Sequence, residues 1–165
     1  MTVKEIFETM EYGPAPESAE TVKAWLAAKK EPFGLYIDGK WVDASNPDAA
    51  FATFNPATGE ELAKISQASD ADVDKAVKAA RKAQKGWAAL GGHGRAKYIY
   101  ALARAIQKNS RRLAVLETLD NGKPIRETRD LDIPIAARHF YHHVGWAQLL
   151  DKEFPGHKPV GVVGQ

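Results

Sequence analysis

No cysteine occurs among the 165 residues. That excludes disulfides, thiolate metal sites and a cysteine nucleophile from this stretch of chain. Long apolar runs are missing too. Nothing approaches the roughly 20 residues of a membrane-spanning helix. The opening residues, Met1 to Met10, mix charges with apolar residues and contain no apolar signal-peptide region. The chain therefore reads as cytoplasmic, without a membrane partner. Charge of one sign is not in excess: 23 basic residues face 21 acidic ones, a net charge of +2. That is too little to suggest a nucleic-acid partner. The nearest approach to a basic patch, Lys108 with Arg111 and Arg112, reads as a solvated helix face. Internal repeats and low-complexity segments are also lacking.

What is present suits one globular domain: 44% hydrophobic and 27% charged residues allow a sizeable core. Val3, Ile6, Phe7 and Met10 recur at helical spacing behind a Thr2–Glu5 capping pattern, and Tyr12 to Pro16 stops that helix. Ser18 can cap a second helix with an apolar face of Val22, Trp25 and Leu26, ended by Pro32 and Gly34. The period then shortens. Leu35-Tyr36-Ile37 and Lys40-Trp41-Val42 flank Asp38-Gly39, a hairpin signal because both turn residues need positive φ. Phe51 to Phe54 and Leu62 to Ile65 flank a second turn, Asn55-Pro56-Ala57-Thr58-Gly59.

A long helix follows. Ser69 and Asp72 form a capping pattern, and Val73, Ala76, Val77, Ala80 and Trp87 share one face. Gly91-Gly92-His93-Gly94 breaks the chain before a second helix carrying Ile99, Leu102, Ala103 and Ile106. A third carries Leu113, Leu116 and Leu119 and stops at Asn121-Gly122. A fourth is expected from about Asp132 to Leu150, with Pro134 in its first turn, where a missing N–H costs nothing. The last residues, Pro159 to Gln165, read as a buried strand of the kind that opens a βαβ unit. The sequence thus stops where a further domain would begin.

Few residue patterns suggest chemistry. His139, His142 and His143 lie at i, i+3 and i+4, a spacing at which two histidines can share a metal. Phe140 and Tyr141 stand where the metalloprotease pattern needs a glutamate, so packing histidines and no metal are expected. Gly91 to Gly94 joins two helices, whereas a phosphate-cradling loop follows a strand. Gly161 and Gly164 are too few for a dinucleotide fingerprint. Asp130 and Asp132 sit near a helix start, where capping and the helix dipole account for them without catalysis.

Five segments in order resemble the aldehyde dehydrogenase superfamily. Leu35 to Val42 is similar to its opening hairpin, and Phe54-Asn55-Pro56-Ala57-Thr58-Gly59-Glu60 to its Asn-Pro-x-x-Gly turn. Leu116 to Pro124 is similar to its helix-ending segment Leu-Asp-Asn-Gly-Lys-Pro. Val144-Gly145-Trp146-Ala147 and Pro159 to Gln165 complete the set. The helical extension and the run Ala137 to His143 resemble the bacterial family-sixteen branch.

The resemblance implies an aldehyde substrate and NAD or NADP as cofactor. In that family a cysteine thiolate attacks the aldehyde, hydride passes to the nicotinamide, and a glutamate activates the hydrolytic water. Those residues and the cofactor glycines belong to family segments beyond Gln165, so neither catalytic nor cofactor-binding residues are expected in this chain, and no turnover by it alone. Aligned on Asn121-Gly122-Lys123-Pro124 and Gly145-Trp146, Leu131 and Ile135 match positions that line the aldehyde tunnel. One departure concerns assembly. Only Asp151 to Lys158 fills the gap where most relatives insert an oligomerisation hairpin, which puts the usual tetramer contact in doubt and favours a homodimer.

The expected fold class is an α+β N-terminal segment, helices plus short antiparallel strands, of an α/β aldehyde dehydrogenase fold. Residues 1–34 are expected as a helical extension, 35–158 as the N-terminal part of the enzyme domain, and 159–165 as the first strand of a Rossmann-type cofactor domain. Two other readings stand beside it: a non-catalytic assembly module, and a small basic nucleic-acid-binding domain that the near-neutral charge disfavours.

Overall fold

In the computed structural model, residues 18–29 and 32–165 are described. The expected first helix over Met1 to Met10 and its Tyr12–Pro16 stop lie outside them. Helix α1 (Glu20–Ala27) has Ala19 rather than the expected Ser18 at its N-cap and no side-chain cap bond; Ser18, one residue further out, accepts from Glu20 N at 3.3 Å. It buries Val22 and Leu26 against Val115 and Leu119, with Trp25, Phe33, Leu62, Leu116 and Ile125 packed around them. This is the core.

Strands β1 (Leu35–Ile37) and β2 (Lys40–Val42) form an antiparallel hairpin. Its turn residues Asp38 and Gly39 both have positive φ, 54° and 78°, as a two-residue primed turn demands. Strands β3 (Ala50–Phe54) and β4 (Glu61–Ser66) form a second antiparallel pair with a register shift at Thr53/Phe54. Asn55 builds the connecting turn: its Oδ1 accepts from Ala57 N at 3.0 Å and its carbonyl from Gly59 N at 2.7 Å. Phe33 joins this pair in parallel, donating to Lys64 O and accepting from Ser66 N. The strands thus stay in two separate two-stranded sheets.

Five further helices and a π-helical turn follow among the described residues, the last two helices flanking the turn as one run. Helix α2 (Asp70–Ala89) opens on the Ser69–Asp72 capping box. Helix α3 (Gly91–Lys108) begins immediately after Leu90. The interruption falls at Leu90, with Gly91 at φ 66° as the first residue of α3; Gly92, His93 and Gly94 also belong to α3 rather than to a loop. Helix α4 (Ser110–Asn121) ends on Gly122 in the left-handed conformation, where glycine is free of the Cβ penalty.

The expected fourth helix is corrected at its start. Helical backbone is already present in α5 (Ile125–Glu127), passes through a π-helical turn (Thr128–Asp132) and continues as α6 (Ile133–Glu153). Pro134 is therefore well inside a helical run. Its ring would press on the carbonyl four residues back, that of Asp130, and the widened turn holding Asp130 accommodates it.

Helix α3 packs closely along α6: a Cβ on Gly92 would lie 2.5 Å from Ala147 O. By contrast, the apolar face of α2 is uncovered among the described residues, with Val73 and Trp87 exposed. The expected final strand is not formed. Residues 159–165 have no strand partner among the described residues, and Val160 and Val163 are 107% and 87% exposed. A strand is defined by its ladder, and seven residues with nothing to pair against do not make one. No helix among the described residues is long and apolar enough to cross a membrane.

Candidate functional site

The π-helical turn is a distinctive local geometry among the described residues, and of the two residues singled out by alignment one lies in it and one just after it. Leu131 lies within the turn and is 46% exposed. Ile135 follows one turn later at the start of α6 and is half-buried. In a regular α-helix residues at i and i+4 share a face; here Leu131 sits in the π-helical turn and Ile135 in the α-helix that follows it.

The turn itself is anchored at both ends by polar groups. Thr128 is fully buried. Its hydroxyl donates to Ile125 O at 3.2 Å, which leaves its lone pairs to accept the Thr118 hydroxyl of α4 at 2.9 Å. At the far end the Asp132 carboxylate pairs with the Lys123 ammonium. That hydrogen bond to Asp132, aided by the carboxylate's charge, holds Lys123 above its ordinary pKa against the effect of burial. Between them, Asp130 is gripped by the neighbouring Arg129 guanidinium through two bonds of 2.7 and 2.8 Å, which lowers its pKa. Neither aspartate caps a helix: both are held in ion pairs.

Beside this turn an apolar groove of about 450 Å³ runs between α1, the β3–β4 pair and α4, lined by Trp25, Phe33, Leu62, Leu116 and Ile133 among others. Ile133 reaches it, whereas Leu131 and Ile135 are not part of its lining. At the groove's polar edge Thr53 Oγ1 donates to Asp120 Oδ1 at 2.6 Å.

The histidines on α6 do not converge. His142 Nε2 accepts from Trp146 Nε1 at 2.9 Å, and His143 Nδ1 is 2.7 Å from His139 O, inside their own helix. No three metal-ligating side chains meet among the described residues. Gly161 and Gly164 lie in the extended tail and open no helix.

A sequence model described as the aldehyde dehydrogenase family matches residues 41–165, most of the chain. The chain belongs to the aldehyde dehydrogenase family. It is 46% identical over 143 residues to DhaS of Bacillus subtilis (strain 168), a protein assigned to the aldehyde dehydrogenases. That alignment covers 79% of this chain and 29% of DhaS. Among solved structures, the NAD+ complex of an aldehyde dehydrogenase from Bacillus cereus is 38% identical with a TM-score of 0.70, over 81% of this chain and 26% of that one. HpcC from Thermus thermophilus is 31% identical with a TM-score of 0.74, over 82% and 26% respectively. The chain thus spans 26–29% of the length of these relatives.

These similarities fix the fold class as helices plus short antiparallel strands of the N-terminal part of such enzymes. No strand, glycine loop and helix follow one another among the described residues in the way a dinucleotide cradle requires.

Sequence reasoning missed Thr118, Thr128 and Lys123. The one available signal was Pro134, which follows a charged but helix-compatible run, Arg126 to Asp132, and so sits where a helix must distort.

Proposed function

We propose that this chain forms the N-terminal part of an NAD(P)-dependent aldehyde dehydrogenase, and that Leu131 and Ile135 give one wall of its aldehyde tunnel. Family membership supports the reaction class, and the NAD+ complex among the structural relatives supports the cofactor. The observation that carries the wall is Leu131 itself: a large apolar side chain left 46% exposed on a polar-anchored π turn. Such turns recur at functional sites. An apolar wall there excludes water and takes up the aldehyde's carbon tail, while the thiolate and hydride chemistry falls to residues this chain does not contain. The bound dinucleotide would accept the hydride.

The same reading makes the enzyme a cytoplasmic homodimer. Helix α6 continues to Glu153, so only residues 154–158 precede the tail, too little for the two strands of an oligomerisation hairpin.

The test is Ile135→Trp in the complete protein. Added bulk in a packed wall costs roughly 1–3 kcal/mol, so kcat/KM for a long-chain aldehyde should fall roughly 10- to 100-fold further than for acetaldehyde. The KM for the nicotinamide cofactor should stay unchanged. Equal losses on both aldehydes would make Ile135 a core residue and remove it from the wall.

A further inference from the structure

Leu131 has no strong packing of its own, being 46% exposed, yet a selective wall must hold its shape to a fraction of a methylene. The groups that hold it are its neighbours. Thr128 opens the π turn and Asp132 closes it. Thr128 is buried and bonded to α4 through Thr118 and to the preceding turn through Ile125 O. Asp132 is tied to Lys123 in the connection that follows Gly122. Both ties lead to the same place, the C-terminal end of α4 and the residues just after it. A π turn is rare and easily relaxed to the α form, so it persists only where its surroundings enforce it. Pro134 enforces it from one side, by its clash with the Asp130 carbonyl, and the two polar ties enforce it from the other.

From this arrangement we infer that Thr128, with Thr118, and the Lys123–Asp132 pair are positioning residues for the aldehyde. They do not touch the substrate. They set the height and rotation of Leu131 along the wall, and so set which aldehyde tails fit. The inference rests on the tunnel reading above and adds that the specificity of the wall is controlled from behind it, through a hydroxyl bond to α4 and an ion pair to the residue that follows its glycine stop.

Thr128→Val in the complete protein tests this, because valine keeps the branched shape and loses both hydroxyl bonds. The ratio of kcat/KM for a long-chain aldehyde to that for acetaldehyde should change roughly 3- to 10-fold, less than a whole methylene is worth in a binding pocket. Thr128→Ser, which keeps the hydroxyl, should restore the ratio. The KM for the cofactor should not move in either variant. Lys123→Met keeps the side-chain stem and removes the charge, and it carries the test if Thr128→Val is too unstable to assay. Leu131→Ala serves as the reference. If Leu131→Ala changes the ratio while Thr128→Val and Lys123→Met do not, the positioning role is overturned and the tunnel stands. If Leu131→Ala and Ile135→Trp both leave the ratio unchanged, the tunnel itself falls, and positioning with it.

Discussion

Asp72 shows how much one short side chain can organise. It is buried at the start of α2. Its Oδ2 accepts from Ser45 N at 3.0 Å and from Ser69 Oγ at 2.8 Å, and its Oδ1 accepts from the Ser45 hydroxyl and lies 3.2 Å from Lys75 Nζ. The bonds from Ser45, and then those from Ser69, hold its pKa far below the usual carboxylate range against the opposing effect of burial. A depressed folded value means that the stabilisation is complete above the unfolded-state pKa of about 3.9. It is lost as pH falls from there through the lower folded value. Ser69→Ala should cost about 1 kcal/mol as a lost N-cap. Asp72→Asn should do more damage, because the amide cannot accept all the Ser45 and Ser69 donors. Amide hydrogen exchange over residues 70–76 reads both effects. At pH 7 exchange should quicken in both variants, most in Asp72→Asn, and the gap between Asp72→Asn and the parent should begin to narrow below about pH 4. A gap that stays constant down to pH 3 would mean that the Asp72 charge contributes nothing. The capping box was legible in the sequence from the Ser69–Asp72 spacing. The tie to Ser45 was not, because 27 residues separate the partners and no local pattern reports such a contact.

At the scale of elements, the α3–α6 pair turns on backbone proximity. Gly92 faces Ala147 O and Gln148, and a Cβ there would come within 2.5 Å of backbone. Gly145, in the same pair, has open space around it. The two glycines should therefore respond oppositely to alanine. Gly92→Ala must push α6 away and should destabilise by roughly 1–3 kcal/mol. Gly145→Ala should be neutral or stabilise by up to about 1 kcal/mol, since alanine is the better helix former. Denaturant midpoints of the two variants check this. A Gly92→Ala midpoint no lower than that of Gly145→Ala would show that the helices do not pack as closely as described. Element types and most breaks were readable from the sequence: the Asp38-Gly39 hairpin, the Asn55–Gly59 turn and the Gly122 stop all follow from local chemistry that only certain residues permit. Two features were not. The π turn depends on Thr118, Lys123 and Pro134 acting together across two helices. The strand expected over 159–165 depends on a partner, and apolar composition alone does not supply one.

Across the whole molecule the balance of covered and uncovered apolar surface is unusual. The core around Val22, Leu26, Val115 and Leu119 is small. Val73, Trp87, Leu102, Trp146, Leu149 and Leu150 remain exposed on α2, α3 and α6. Patches of that kind mark interaction surfaces or association hazards. The 165-residue chain on its own should therefore bind a hydrophobic dye and self-associate. Dye fluorescence and light scattering check this, and a monodisperse monomer with a sharp cooperative melt would show that these residues suffice as a domain. The sequence pointed to the family through five ordered segments, and the fold agrees. The proposed tunnel wall comes only from that resemblance, because apolar residues at i and i+4 look the same whether they face a core or a substrate.

The local pairing of the two hairpins has a consequence in time. Each strand pairs with its immediate successor, β1 with β2 and β3 with β4, and neither sheet waits for distant chain. Structures built from such short loops form in milliseconds or less. A ribosome adds roughly 5–20 residues per second, so on the order of ten seconds or more passes while this stretch emerges. The hairpins can form early in that interval, and α2 and α3 display their apolar sides to the cell before α6 has been made. For that period, the burden of keeping the nascent chain from its neighbours falls on chaperones rather than on the chain's own packing.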